Sequence, residues 1–167
     1  MKRMHICTAI LTISALLISG CSFSPKPATW YEPTLDYYKE GFESGWANED
    51  PKLFISDEMK DTGNSFGYLL KDLDGDGLNE LLIGIMDDSE ETKFTDVYIY
   101  HSDLGPYRVL SGGEGYYIYL CDDNVIRMDS WYGSETEIKY MSYDSNDNAF
   151  LIIDGGSKPG KYELTDF

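Results

Sequence analysis

Asp72, Asp74, Asp76 and Glu80 stand at positions 1, 3, 5 and 9 of the run Asp-Leu-Asp-Gly-Asp-Gly-Leu-Asn-Glu, residues 72–80, with Gly77 at position 6. Carboxylates at alternating positions, with a glycine at the sharp turn, supply the all-oxygen ligand set that a hard cation such as Ca²⁺ requires. Leu78 falls at position 7, where such loops use a backbone carbonyl. The candidate ligands are therefore Asp72, Asp74, Asp76, Leu78 and Glu80. Four carboxylates so close in sequence repel one another, so without a cation the loop is expected to be strained or disordered.

The flanking residues say what kind of loop this is. A helix-loop-helix calcium site needs a bidentate acid at position 12, and Ile83 stands there. The neighbours Phe66–Lys71 and Leu81–Met86 are short apolar runs broken by glycine, which suit strands better than helices. The stretch reads as strand, calcium loop, strand. In this it resembles the FG-GAP repeats of integrin-type propellers. Phe66-Gly67 looks like the opening pair and Gly84 like the start of Gly-Ala-Pro, although Ile85-Met86 replaces Ala-Pro and the spacer before Asp72 is short. The resemblance covers residues 66–86. The chain also resembles lipoproteins of Gram-positive bacteria that place one such unit ahead of a β-meander. That resemblance implies a fold and a metal, not a reaction.

The N-terminus reads as a processing signal. Lys2 and Arg3 precede an uncharged, mostly apolar stretch from Ile6 to Ile18, too short for a spanning helix. Leu17-Ile18-Ser19-Gly20-Cys21 resembles a lipobox, which implies cleavage before Cys21, lipidation of its thiol and attachment to the outer face of the cell membrane. The expected organisation is a signal at 1–20, a lipidated cysteine and Pro-containing tether at 21–33, and a single β-rich domain at 34–167. Cys121 is then the one thiol left in the domain, so no internal disulfide forms, and an inert buried thiol is expected. With the signal removed, 11 basic and 30 acidic residues give a net charge of −19. That argues against nucleic acid and anionic membrane surfaces as partners. It favours cations, basic ligands or simple solubility.

The remaining pattern is mainly β (α+β). Leu35, Tyr38, Phe42 and Trp46 recur at helical spacing, predicting a helix over 34–46. Residues 48–64 read as a loop or second short helix. From Asp96 onward, strands are expected at 96–101, 107–110, 116–121, 125–132, 135–143 and 149–154, with Gly133-Ser134 as a tight hairpin turn and a possible edge strand in 157–167. This is an antiparallel β-meander with a short N-terminal helix and one strand–calcium loop–strand unit. A second acidic stretch, 144–148, lacks the glycine and reads as a plain turn. One loop cannot build a propeller.

Chemistry beyond the metal is thinly signalled. His101 is the one histidine after the signal, and Gly-x-Ser-x-Gly is absent. Two carboxylates able to act on a glycosidic bond are easily found by chance among 30 acids. Tyr98 and Tyr100 are expected on one face of their strand, Val97 and Ile99 on the other. Trp131-Tyr132 is the first candidate for a ligand surface. The expectation is a non-catalytic binding or interaction module of the cell envelope with an envelope protein or glycan as partner. The alternative is a carboxylate-dependent envelope hydrolase. The sequence leaves oligomeric state open.

Overall fold

The computed structural model describes residues 28–47, 49–50, 55–113 and 115–167. The signal, Cys21 and the tether up to residue 27 lie outside them. Helix α1 spans Ala28–Ser44, so it starts earlier than Thr34, and Pro33 lies inside it rather than in a tether. Proline removes one helical hydrogen bond. Packing outweighs that loss: Tyr31 is fully buried, and Trp30 stacks on Tyr100 with ring centroids 4.6 Å apart. The apolar stripe Tyr31, Leu35, Tyr38, Phe42 advances by four, three and four residues and joins one core. The helix ends where Gly45 and Trp46 enter the left-handed region. The Trp46 N–H donates to Gly41 O (2.8 Å) and the Gly45 N–H to Phe42 O (3.5 Å), the paired bonds of a Schellman end. The Trp46 indole N–H then donates to Met59 O (2.9 Å), tying α1 to the one-turn helix α2, Asp57–Lys60.

Among the described residues, nine strands form one antiparallel sheet: β1 Phe66–Lys71, β2 Glu80–Ile85, β3 Lys93–His101, β4 Gly105–Ser111, β5 Tyr116–Leu120, β6 Ile126–Tyr132, β7 Glu135–Asp144, β8 Ala149–Ile153 and β9 Thr165–Asp166. The spatial order is β8-β7-β6-β5-β3-β2-β1-β9, a meander with two departures. One edge of β3 pairs with β5 at Lys93 and Phe94, then with β4 from Asp96 to His101, so β4 branches off the path. The C-terminal β9 returns to the outer edge of β1.

Strand alternation divides the interior in two. Leu81, Ile83, Ile85 and Tyr98 face α1. Leu82, Phe94, Val97 and Ile99 face the other way, onto Ile118, Leu120, Ile126 and Met141. Tyr98 and Val97 thus point as the alternation predicts. The C-terminal segment crosses this second layer. The Gly160 N–H donates to Leu120 O (2.9 Å), the Tyr162 hydroxyl to Cys121 O (3.1 Å), and Leu164 lies against Gly67 and Gly84. These two glycines are direct cross-strand partners. A Cβ on Gly84 would sit 3.0 Å from Leu164 Cδ1, and one on Gly67 would sit 2.6 Å from Thr165 O. The glycines that carry the FG-GAP resemblance are here the window through which the C-terminal segment reaches the sheet. Cys121 is buried, and burial pushes its thiol up to about 11. Among the described residues, no helix is long and apolar enough to cross a membrane.

Gly41 separates two opposed effects. Helix propensity favours alanine over glycine by about 1 kcal/mol. A Cβ at Gly41, however, would enter the Trp46 ring, and overpacking of this kind costs about 1–3 kcal/mol. Gly41→Ala is expected to lower the midpoint of thermal unfolding, followed by circular dichroism. A rise would refute the packing account.

Candidate metal loop and aromatic cleft

Strands β1 and β2 pair through to Lys71↔Glu80, and the loop between them is 72–79. This register brings Asp72, Asp74 and Asp76 together, one oxygen from each within 4.8 Å of the others. Such a cluster is able to hold a metal ion. Backbone N–H groups fix the carboxylates from below. Gly75 donates to Asp72 Oδ1 (2.7 Å), Gly77 to Asp72 Oδ2 (2.9 Å), Asp76 to Asp74 Oδ1 (3.1 Å) and Leu78 to Asp76 Oδ1 (2.7 Å). Gly75 and Gly77 take φ of 81° and 89°, so the chain can wind tightly enough for these bonds. These bonds give the loop a defined path in which its acids face amide dipoles.

Leu78 is placed in the loop by its N–H bond to Asp76. Glu80 behaves differently from the three aspartates. It is the first residue of β2 and is 4 % exposed, and its Oε2 accepts from the Leu73 N–H (2.8 Å). Burial pushes its carboxyl up to about 7; the Leu73 bond opposes this, and Asp74, Asp76 and Asp72 add to it. Two buried phenols respond to the same charge. Burial raises Tyr31 well above the ordinary range and Tyr143 up to about 12, with Glu80 the next cause for both.

The stretch 144–148 is a turn between β7 and β8, as its missing glycine suggests, but it has a role that pattern did not reveal. The Ser145 N–H donates to Asp74 Oδ2 (3.0 Å), and a cavity of about 450 Å³ separates the two acidic segments. On another side, Asn124 donates to the Asp72 carbonyl (3.2 Å) from a left-handed turn with φ 62°. The sequence signal for this second contact was an asparagine closing Asp122-Asp123-Asn124, the residue type that tolerates such φ.

The other candidates resolve as follows. His101 ends β3, and its Nδ1 accepts from the Asp103 N–H (3.2 Å), a turn contact. Trp131 and Tyr132 point to opposite faces. Trp131 packs edge-on with Tyr117 (4.9 Å), and Tyr132 with Tyr116 (6.2 Å), so they form no common platform.

Aromatic and polar groups converge instead between α1 and the β3–β4 hairpin. The β3–β4 register shifts between Val97 and Tyr98, so Arg108 rather than Val109 lies opposite Tyr98. This bulge brings Arg108 onto the α1 face, where its Nη1 meets Asp96 Oδ1 at 3.2 Å. The Tyr38 hydroxyl donates to Asp96 Oδ2 (2.7 Å) and lies 3.0 Å from the Tyr98 hydroxyl. Asp96 is 1 % exposed, and burial raises its pKa while Tyr38 and Arg108 pull it back. Sequence reasoning missed this cluster because its members come from three elements.

Removing one partner of a buried pair strands the other charge, at about 3 kcal/mol or more. Asp96→Asn is expected to cost about 3 kcal/mol in urea unfolding, and Asp96→Asn with Arg108→Met is expected to recover most of it. If the double variant is no more stable than the single, the pair is not what Asp96 supports. No family model, curated protein or solved structure matches this chain, so its function is argued from the geometry of its own residues.

Proposed function

We propose that the chain is a lipid-anchored, calcium-stabilised binding module working on the outer face of the cell membrane, without catalysis of its own. The observation that carries this reading is the convergence of the Asp72, Asp74 and Asp76 carboxylates within 4.8 Å of one another on a loop docked against the β7–β8 turn. An all-oxygen, anionic ligand set suits Ca²⁺ over softer transition metals. The three aspartates, with the Leu78 carbonyl from the same run, are the residues that would hold it, while Glu80 stands at the head of β2 turned to the Leu73 amide. A bound cation neutralises the carboxylates and contributes folding energy, because the unfolded chain has no preformed site. The loop closes the β1–β2 hairpin and touches the β7–β8 and β5–β6 turns, so the metal acts as a staple between parts of the sheet distant in sequence.

The anchor rests on the lipobox-like Leu17–Cys21, outside the described residues, and on the resemblance to Gram-positive lipoproteins. The acidic surface, with a net charge of −17 for the whole chain, suits a protein that stays soluble at a crowded envelope.

Ca²⁺ at a hundredfold excess over its Kd is expected to stabilise the fold by about 2.7 kcal/mol, a rise of roughly 8 °C in melting temperature for a chain of this size. Asp74→Ala abolishes the rise. Asp74→Asn, which keeps an acceptor for the Ser145 amide, abolishes it too if charge is what matters. An identical melt in Ca²⁺ and EGTA would sink the metal reading. Cys21→Ser is expected to move the protein from the membrane fraction to the medium in cell fractionation, and its retention there would remove the anchor.

A further inference from the structure

We infer that the outer edge of β8 is a strand-pairing site for an extended apolar segment of another protein with basic residues at both ends. This rests on the reading of the chain as a binding module and names its partner class.

Strand β8 ends the spatial order, so among the described residues β7 alone pairs with it. Alternate backbone N–H and C=O groups of an edge strand point away from the sheet and are open to another chain. Folds ordinarily blunt such edges with charge, proline, a bulge or brevity. Two other edges of this sheet are blunted in that way. Strand β9 is two residues long and carries Asp166. Strand β4 carries Pro106 and Arg108 and a register shift against β3. The run Ala149-Phe150-Leu151-Ile152-Ile153 has neither charge nor proline, and its five pairs with β7 proceed without a shift.

The strand is rooted yet leaves apolar surface on both faces. Phe150 packs on Tyr143, with ring centroids 5.3 Å apart, and lies against the second core layer. Ile152, on the same face, is 71 % exposed, and Leu151, on the other, is 45 % exposed. An added strand would cover side chains on both faces while its main chain pairs with the open groups, which is where strand addition draws its affinity.

Charge selects the occupant. The uncharged strand lies between Asp147 and Asp154 in sequence, and Asp144 stands opposite Ala149. Leu151 and Ile153 also line the cavity of about 450 Å³ that Asp74, Asp76 and Asp144 share. Asp144, Asp147 and Asp154 are not among the aspartates that would hold a cation, so a loaded loop does not neutralise them. A second copy fits poorly. Antiparallel pairing about Leu151 would set Asp154 of each copy opposite Asn148 of the other, beside Asp147, and both chains carry a net charge of −17. Lysine or arginine on either side of an apolar run meets these acids with opposite charge.

The test titrates the calcium-loaded full-length chain, in mild detergent, into a fluorescein-labelled peptide, Lys-Lys-Val-Thr-Val-Thr-Val-Lys-Lys. Binding is followed by anisotropy and located by ¹H–¹⁵N correlation spectra. The expected result is saturable binding with shifts centred on Phe150, Leu151 and Ile152. The same peptide with glutamates replacing the lysines is expected to bind at least tenfold more weakly. N-methylation of the five central residues, which keeps side chains and charge but removes the strand hydrogen bonds, is expected to abolish binding. Asp147→Asn with Asp154→Asn is expected to weaken binding at least threefold with an unchanged melting temperature, because both side chains are exposed. Absence of binding by the lysine peptide, equal binding by the glutamate peptide, or undiminished binding after N-methylation would overturn the proposal. A concentration-dependent dimer that shifts the same amides assigns the edge to a second copy and overturns it too. The module reading fails separately: an envelope partner captured equally by wild type and the double variant, with no peptide bound, refutes the edge and leaves the module standing.

Discussion

Like charges crowded at one end of a sheet are the constraint on which this structure depends. One carboxylate oxygen from each of Asp72, Asp74 and Asp76 lies within 4.8 Å of the others, close enough for like charges to repel. The chain answers with backbone dipoles. Four loop amides and the Ser145 amide point at these carboxylates, and two positive-φ glycines make that path possible. Because one of those amides comes from 71 residues away, balancing the charge also sets where the β7–β8 turn can sit. A local electrostatic problem thereby becomes a long-range tie.

The second organising feature is β3. Its alternation sends Tyr98 and Asp96 toward α1 and Val97 and Ile99 into the opposite core. Its far edge carries β5 and then β4 in succession. A strand used on both faces and both edges has little freedom to slip. The one irregularity it tolerates, the register shift opposite Tyr98, places a guanidinium beside a buried carboxylate.

Much of this was legible in the sequence, for identifiable reasons. Strands β3 to β8 announce themselves because β-branched and aromatic runs alternate between turn residues over short distances. The loop announces itself because its acids lie at regular spacing within one short run. What stayed hidden depends on contacts between distant segments. Nothing local in Gly105–Ser111 says that β4 will leave the meander, since that follows from β5 taking the remaining length of β3. The reach of α1 back past Pro33 is decided by the burial of Tyr31 and the Trp30–Tyr100 stack, tertiary terms that override a local breaker. Glu80 reads as an equal member of an acidic series, yet as the first residue of β2 it turns inward to the Leu73 amide. Gly67 and Gly84 read as family punctuation. Their physical necessity appears only when Leu164 is laid over them.

The loop and the cleft are structurally continuous rather than merely neighbouring. Tyr31 and Tyr38 stand two turns apart on the same stripe of α1. The first is perturbed by Glu80 at the end of the metal loop, and the second holds Asp96 in the floor of the cleft. In the sheet, Leu81 follows Glu80 directly and pairs with Tyr98. Any free energy that a cation adds at the loop is therefore added to the same helix and the same strand pair that shape the cleft. Mass action requires no two-state switch for this: a ligand that binds the folded chain raises the population of every feature that only the folded chain possesses. A small sheet whose one described cysteine, Cys121, is free would gain from a bound cation a cross-link that no disulfide among the described residues supplies.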